Sequence, residues 1–306
     1  MENLNKLLGI FTVQLHPTTN LIAMPVGISF YSFKILSYVV DVYKGSRMEK
    51  SLGKYALYVI FFPEISSGPI DRGKDLLTQF SKTCVYNYEK VSYGLKLVAW
   101  GLFKKIVIAD TLSYGVDWVY ISYESYKGGV LFIVSIFYTI QIYCDFSGYS
   151  DMAVGVAKML GIELIRNFKA PYISTSVKEF WRRWHISLYT WLRDYIYIPL
   201  GGSKKGKARH YANIMVTFLI SGLWHGANWN FVLWGGVHGL AQILEDVGER
   251  IVPCKKREGK IQCLIKTIAV FLFCNFAWVL FRAESMEQAI YIYFTPLYKF
   301  LTKSAV

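Results

Sequence analysis

An all-α, polytopic integral membrane protein is the fold class this sequence predicts, on three observations. Only 18% of its 306 residues are charged, where soluble domains carry about 25%. Its apolar residues gather in long uncharged runs, at residues 7–33, 128–144, 211–244 and 267–281. Its basic residues, which give a net charge of +13, lie largely between those runs, at 44–54, 203–210 and 255–260. Lys and Arg concentrate in that way in cytoplasmic loops.

A hydrocarbon core about 30 Å thick needs about 20 apolar residues per helical span. The first run, 7–33, reaches that length, with Pro25 interrupting it. Residues 55–70 and 91–108 are weaker segments broken by single charges, and Pro63 and Pro69 break the former again. The uncharged run 128–144 is followed by a polar stretch, Asp145 to Asp151, and then by a weaker apolar segment at 152–165. Residues 176–197 read as one helix. Phe180, Trp184, Leu188, Trp191 and Tyr195 recur at i+3/i+4 spacing as an aromatic stripe, and Lys178, Arg182, His185, Tyr189 and Arg193 make a second. Ser176 with Glu179 matches a capping box that starts it. Such mixed character suits the membrane interface or the wall of a wet cavity.

The run 211–244 is long enough for two short spans and folds back near Gly226-Ala227-Asn228, which puts the basic clusters 203–210 and 255–260 on one side. Residues 267–281 and the weaker 288–301 close the chain. Roughly eight to ten membrane-associated segments result. Broken helices at membrane depth need protein or water around their freed backbone groups, so the pattern predicts a bundle with an internal cavity. No internal repeat or linker divides it, and residues 1–306 read as a single domain.

Several function classes lose support. Cys84, Cys144, Cys254, Cys263 and Cys274 show neither a Cys-x-x-Cys pair nor zinc-finger spacing, so no metal site is expected. There is no Gly-x-Ser-x-Gly elbow, phosphate-cradling glycine loop or His-Glu-x-x-His motif, which counts against serine hydrolase, nucleotide-hydrolysing and zinc chemistry. Basic residues set between apolar segments, not along a face, argue against nucleic acid as a partner. Residues 1–9 lack the basic-then-apolar pattern of a cleavable signal peptide.

His225, in Leu223-Trp224-His225-Gly226-Ala227-Asn228, is an imidazole deep in an uncharged run. Ionisable groups at such depth are mostly functional or firmly paired, and imidazole changes charge near neutral pH. It is the candidate general base; the plainer reading is a packed histidine bonded to a backbone carbonyl. His185, with Arg182 and Arg183, forms a second candidate. Guanidinium binds phosphate bidentately and so suits an anionic ligand, whereas a membrane-surface anchor with Trp184 among the headgroups is the plainer alternative. The two carboxylates and two serines of Asp145 to Asp151 either cap the next helix or bind a hydroxylated substrate. His238 is expected to pack, His210 to be a solvated loop residue, and His16 carries no signal.

Four stretches together resemble the membrane-bound O-acyltransferase (MBOAT) family, in its bacterial branch related to alginate O-acetylation. They are Pro25-Val-Gly-Ile-Ser-Phe30 with Val40-Asp-Val-Tyr43, and Phe62-Pro-Glu64 with Gly68-Pro-Ile-Asp-Arg72. The longest contains Asp145-Phe-Ser-Gly-Tyr-Ser-Asp151, Asn167-Phe168, Phe180-Trp-Arg-Arg-Trp-His185 and Trp191-Leu-Arg-Asp-Tyr195. The last is Leu223-Trp-His-Gly-Ala-Asn228 with 234–240.

By that resemblance His225 matches the family's essential histidine and His185 its second motif histidine. Arg182, Arg183, Trp184, Trp224, Asp145 and Asn228 fall in the motif stretches and are the expected substrate-binding residues. The resemblance implies a helical rim around a central tunnel, in a bacterial cytoplasmic (inner) membrane. It implies no bound cofactor, a thioester such as acetyl-CoA as co-substrate, and an acceptor hydroxyl on an extracellular polysaccharide or cell-wall glycan. An extracytoplasmic SGNH-hydrolase-like partner completes transfer in that branch. Relatives carry further spans before Pro25 and after Met286, so the chain reads as a family core, 22–286, shortened at both ends.

The sister branch, which exports D-alanyl groups onto teichoic acids, is matched by Ser66 to Arg72, whereas 195–202 and 226–228 fit the alginate type better. Of two non-enzymatic alternatives, a solute transporter would show matching halves, and the sequence has none. The other is a scaffold that only docks a partner.

Overall fold

The computed structural model describes residues 27–251 and 259–302, with side chains to residue 295. Most of the first apolar run, with His16 and Pro25, lies outside the described residues, as do Cys254 and most of the 255–260 cluster. Among the described residues the architecture is all-α, with twelve α-helices and no strand.

Three short helices come first: α1 (Ile28–Tyr43), α2 (Leu52–Ile60) and α3 (Gly73–Phe80). α4 (Tyr88–Leu102) runs through a π-helical stretch, Phe103–Ala109, into α5 (Asp110–Ile121), and α6 (Gly129–Met159) packs back along both. Two short helices, α7 (Val177–Arg183) and α8 (Ile186–Leu192), precede a π-helical turn, Arg193–Tyr197. Then come α9 (Lys207–His225), α10 (Trp229–Ile251), α11 (Lys260–Arg282) and α12 (Met286–Thr302).

Among the described residues two helices, α6 and α11, are long and apolar enough to cross a bilayer. At 1.5 Å per residue the 31 residues of α6 extend roughly 46 Å, well beyond a hydrocarbon core. The other helices are shorter or carry polar groups that point inward: Lys34 on α1, Asn213 and Ser221 on α9, and His238 on α10 are all buried.

α4 and α6 meet backbone to backbone. A Cβ at Gly155 would stand 2.6 Å from the Gly94 carbonyl oxygen, a distance only glycine tolerates. Farther along this seam, the Lys104 ammonium donates to Ser147 Oγ (2.9 Å) and Asp151 Oδ2 (2.6 Å). Asp145 to Asp151 therefore does not cap a following helix. It lies inside α6, where lysines from the adjoining π-helical stretch neutralise its carboxylates.

The 176–197 segment also departs from expectation. Its start is as read, with Ser176 Oγ accepting from Glu179 N at 3.0 Å. The helix then breaks at Trp184–His185, because His185 takes a left-handed conformation, φ 44° and ψ 53°. Two stretches hold that break. Lys169 N donates to Arg183 O (2.9 Å) and Ile186 N to Asn167 O (2.9 Å), while the Asn167 side chain accepts from Ser187 N (3.2 Å). Left-handed backbone costs a non-glycine residue about 1–2 kcal/mol, which these tethers offset.

α9 and α10 form the hairpin expected of 211–244, turning at Gly226 to Asn228. Gly222 and Gly235 bring the two backbones into direct contact, and a Cβ on either would overlap a carbonyl of the opposite helix. At the far end His210 and Asp246 lie together (Nε2 to Oδ2, 3.7 Å). An aromatic core of Trp181, Trp184, Trp234 and Trp278 joins α7, α10 and α11.

Candidate active site

The hairpin turn and the helix break bring the two candidate histidines to one place. His225 ends α9, and His185 sits between α7 and α8. Both rings contact the indole of Trp224, with centroids 4.7 Å from it for His225 and 6.3 Å for His185. Phe146 lies edge-on to His185 at 4.7 Å and Phe30 stacks on it at 6.4 Å. His225 is walled by Trp234 at 5.2 Å and Phe281 at 5.0 Å and is partly exposed.

Polar atoms around this pair lack partners. His185 is 2% exposed, yet both its ring nitrogens, together with Trp224 Nε1, Trp234 Nε1 and Ser221 Oγ, have no hydrogen bond among the described residues. Buried polar groups are normally bonded. Several orphans around one point, beside a residue with strained backbone, mark a place built to meet a ligand.

A cavity of about 280 Å³ approaches the pair from the basic-loop end of α9. Lys178, Arg182, Arg193 and His210 stand along it with Asp246, and Trp181, Leu188 and Phe218 make its apolar wall. Ser221, one helical turn before His225, also lines it. A larger surface cavity of about 480 Å³ lies between α1, α2 and α3, beside Lys50, Lys54 and Lys74. Neither cavity is lined by His185 or His225, but the smaller one reaches Ser221, four residues before His225 on the same helix, and the chemistry is centred there.

The other sequence-predicted residues fall in different places. Arg182 lines the cavity with no partner among the described residues. Arg183 instead pairs with Glu179 at 2.6 Å. Burial pushes the Glu179 carboxyl up, but the Thr175 amide and hydroxyl and the Arg183 guanidinium outweigh it and hold it below the usual range. Trp184 is packed in the aromatic core, 4.8 Å from Trp278. Asp145 faces Lys105 at 2.7 Å and is not brought to the histidines. Asn228 caps α10, its carbonyl accepting from Phe231 N (3.1 Å) and its side chain from Asn230 N (3.1 Å).

His238 packs as expected, its Nδ1 accepting from Trp181 Nε1 at 3.2 Å. His210 is not a solvated loop residue. It lies in the first turn of α9, with its Nδ1 2.7 Å from the Tyr197 hydroxyl. Sequence reasoning missed Ser221, Gln242 and Asp246 along the cavity and the clamping role of Asn167. The Asn167 contact spans twenty residues of sequence, beyond any local pattern.

Residues 11–283 match the model of the membrane-bound O-acyltransferase family. The chain belongs to this family. It is 40% identical over 294 residues to the probable alginate O-acetylase AlgI of Pseudomonas putida, across 96% of this chain and 59% of that one. It is 34% identical over 302 residues to the peptidoglycan O-acetyltransferase of Helicobacter pylori, across 90% and 57%. To the teichoic acid D-alanyltransferase of Bacillus subtilis it is 30% identical over 237 residues, across 74% and 59%. The chain thus spans a little over half the length of these curated relatives.

Proposed function

We propose that this chain forms the catalytic core of a multi-pass O-acyltransferase in a bacterial cytoplasmic membrane. It passes an acetyl group from a thioester such as acetyl-CoA towards a hydroxyl of an extracellular polysaccharide or wall glycan. One observation carries this reading: His185 and His225 converge on Trp224 one helical turn beyond a cavity along which Arg182 stands unpaired among the described residues.

The Arg182 guanidinium, unpaired among the described residues, suits the phosphates of the donor, whereas Lys178 is held by Asp246 and Glu249, each at 2.9 Å. The cavity's apolar wall suits the arm that carries the thioester. His225 takes the proton of the acceptor hydroxyl; the oxygen attacks the thioester carbonyl, the carbon–sulfur bond breaks, and the thiolate leaves. A base so placed contributes typically 10²–10⁴-fold in rate. His185 orients the acceptor. From Lys207 at the basic end to His225 runs a 19-residue helix, roughly 28 Å long, which suits a donor and an acceptor arriving from opposite sides. The remaining helices would complete a rim around that passage, and an extracytoplasmic SGNH-hydrolase-like partner would finish transfer to the glycan.

The test supplies membranes holding the protein and its SGNH-hydrolase-like partner, either with labelled acetyl-CoA and alginate oligosaccharide or with a labelled D-alanyl carrier and teichoic acid. Acetyl transfer supports the reading, as does loss of acetyl from surface glycans, by mass spectrometry, in cells lacking the protein. Transfer of D-alanine alone would move the chain to the sister branch. No transfer of either group would refute both.

A further inference from the structure

Ser221 lies inside α9, four residues before His225 and so on the same face, where Cβ atoms stand roughly 5–6 Å apart. It is 1% exposed, and its hydroxyl has no hydrogen bond among the described residues. Serine and threonine inside helices ordinarily bond back to the carbonyl one turn earlier. Thr217 does so to Asn213 (2.7 Å), Thr139 to Ser135 (3.0 Å) and Thr190 to Ile186 (2.9 Å). Ser221 does not, and it lines the cavity that approaches the histidines, as does Gln242, whose Nε2 is likewise unbonded.

A buried, unbonded hydroxyl costs stability. The close helix contact at the adjoining Gly222 calls for a small neighbour, but alanine would meet that need without the cost. Packing therefore accounts for the size of this residue and not for its oxygen.

We propose that the Ser221 hydroxyl is a catalytic hydrogen-bond donor to the carbonyl oxygen of the acyl donor, a role that rests on the thioester reading above. As the acceptor oxygen bonds to the carbonyl carbon, the carbonyl oxygen gains negative charge. A fixed donor beside an apolar wall stabilises that charge most where it is greatest, in the transition state. The acceptor's proton passes to His225 and the thiolate departs. Ser221 forms and breaks no covalent bond.

Wild type, Ser221→Ala and Ser221→Thr are compared in membrane vesicles that also hold the SGNH-hydrolase-like partner, with acetyl-CoA and alginate oligosaccharide. Ser221→Ala lowers kcat about 10²–10³-fold, leaves KM for acetyl-CoA within about twofold, and melts no lower than wild type, because it removes an unbonded polar group. Ser221→Thr, which restores a hydroxyl, regains activity. In difference infrared spectra of bound carbonyl-labelled acetyl-CoA, the carbonyl stretch lies lower in wild type than in Ser221→Ala.

Unchanged kcat in Ser221→Ala would overturn the assignment. So would a loss of activity with a lower melting temperature and no infrared shift, which marks a packing role. An acetyl group trapped on Ser221 would make it a nucleophile instead. If wild type transfers no acetyl at all, the thioester reading fails and this role with it; an active wild type with an indifferent Ser221→Ala removes Ser221 alone.

Discussion

Trp224 stands between His185 and His225, one face of its indole stacked on Phe33 at 5.1 Å. Phe33 in turn stacks on Trp191 at 4.1 Å, and the Trp191 indole N–H donates to the Phe33 carbonyl at 3.0 Å. The separation of His185 from His225 is thus set by a short aromatic column rooted in α1 and α8. Three segments far apart in sequence fix a single geometry.

Asn167 clamps the strained residue of that pair. Asn167→Ala leaves the buried Ser187 N–H without its acceptor, at a cost of about 1–3 kcal/mol, and frees His185 to relax from φ 44°. Lower thermal stability in detergent and a larger fractional loss of kcat than of donor affinity are expected. A variant that melts lower but keeps wild-type kcat would show that the clamp serves folding alone.

A buried ion pair anchors the loop that leads to the same region. Lys34 Nζ lies 2.7 Å from Glu64 Oε2, with the side chains 3% and 1% exposed. Glu64 also accepts from Asp71 N at 3.3 Å, and Asp71 accepts from Ile165 N at 3.2 Å. Replacing Lys34 by Met strands a buried carboxylate and destabilises by about 3–5 kcal/mol. The double change Lys34→Met, Glu64→Leu recovers most of that loss, because removing both charges also removes their desolvation cost. Chemical denaturation of the three proteins checks this ordering.

The two neighbouring arginines separate by function. Arg182 lines the cavity, so Arg182→Ala raises KM for acetyl-CoA about tenfold, and added salt weakens wild-type binding in the same direction. Arg183→Ala leaves KM nearly unchanged and costs roughly 0.5 kcal/mol of stability, the scale of a partly exposed i,i+4 pair. The Glu179 carboxyl is held below its ordinary range, so the stability it lends is fully present above the unfolded carboxylate value. It is lost as pH falls through the lowered one, and Glu179→Gln abolishes that dependence.

The all-α class, the hairpin at Gly226 to Asn228, the Ser176 cap and the packed His238 were legible in sequence. Each depends on local signals: uncharged runs, a glycine–asparagine turn, a capping pair and a histidine flanked by apolar residues. The break at His185 was not legible, because helical periodicity runs straight through it and only distant hydrogen bonds from Asn167 interrupt the helix. Nor was the embedding of Asp145 to Asp151 within α6, since the lysines that neutralise those carboxylates lie some forty residues earlier. His210 gave no sign of its Tyr197 partner, because a basic loop conceals a single long-range contact.

The most direct test is His225→Gln, which keeps a polar side chain of similar reach but cannot take up a proton. Acetyl transfer from labelled acetyl-CoA is expected to fall by about 10²–10⁴-fold, while the protein retains its wild-type melting temperature and binds the donor normally. Wild-type turnover by a well-folded His225→Gln protein would contradict a general-base role for this imidazole.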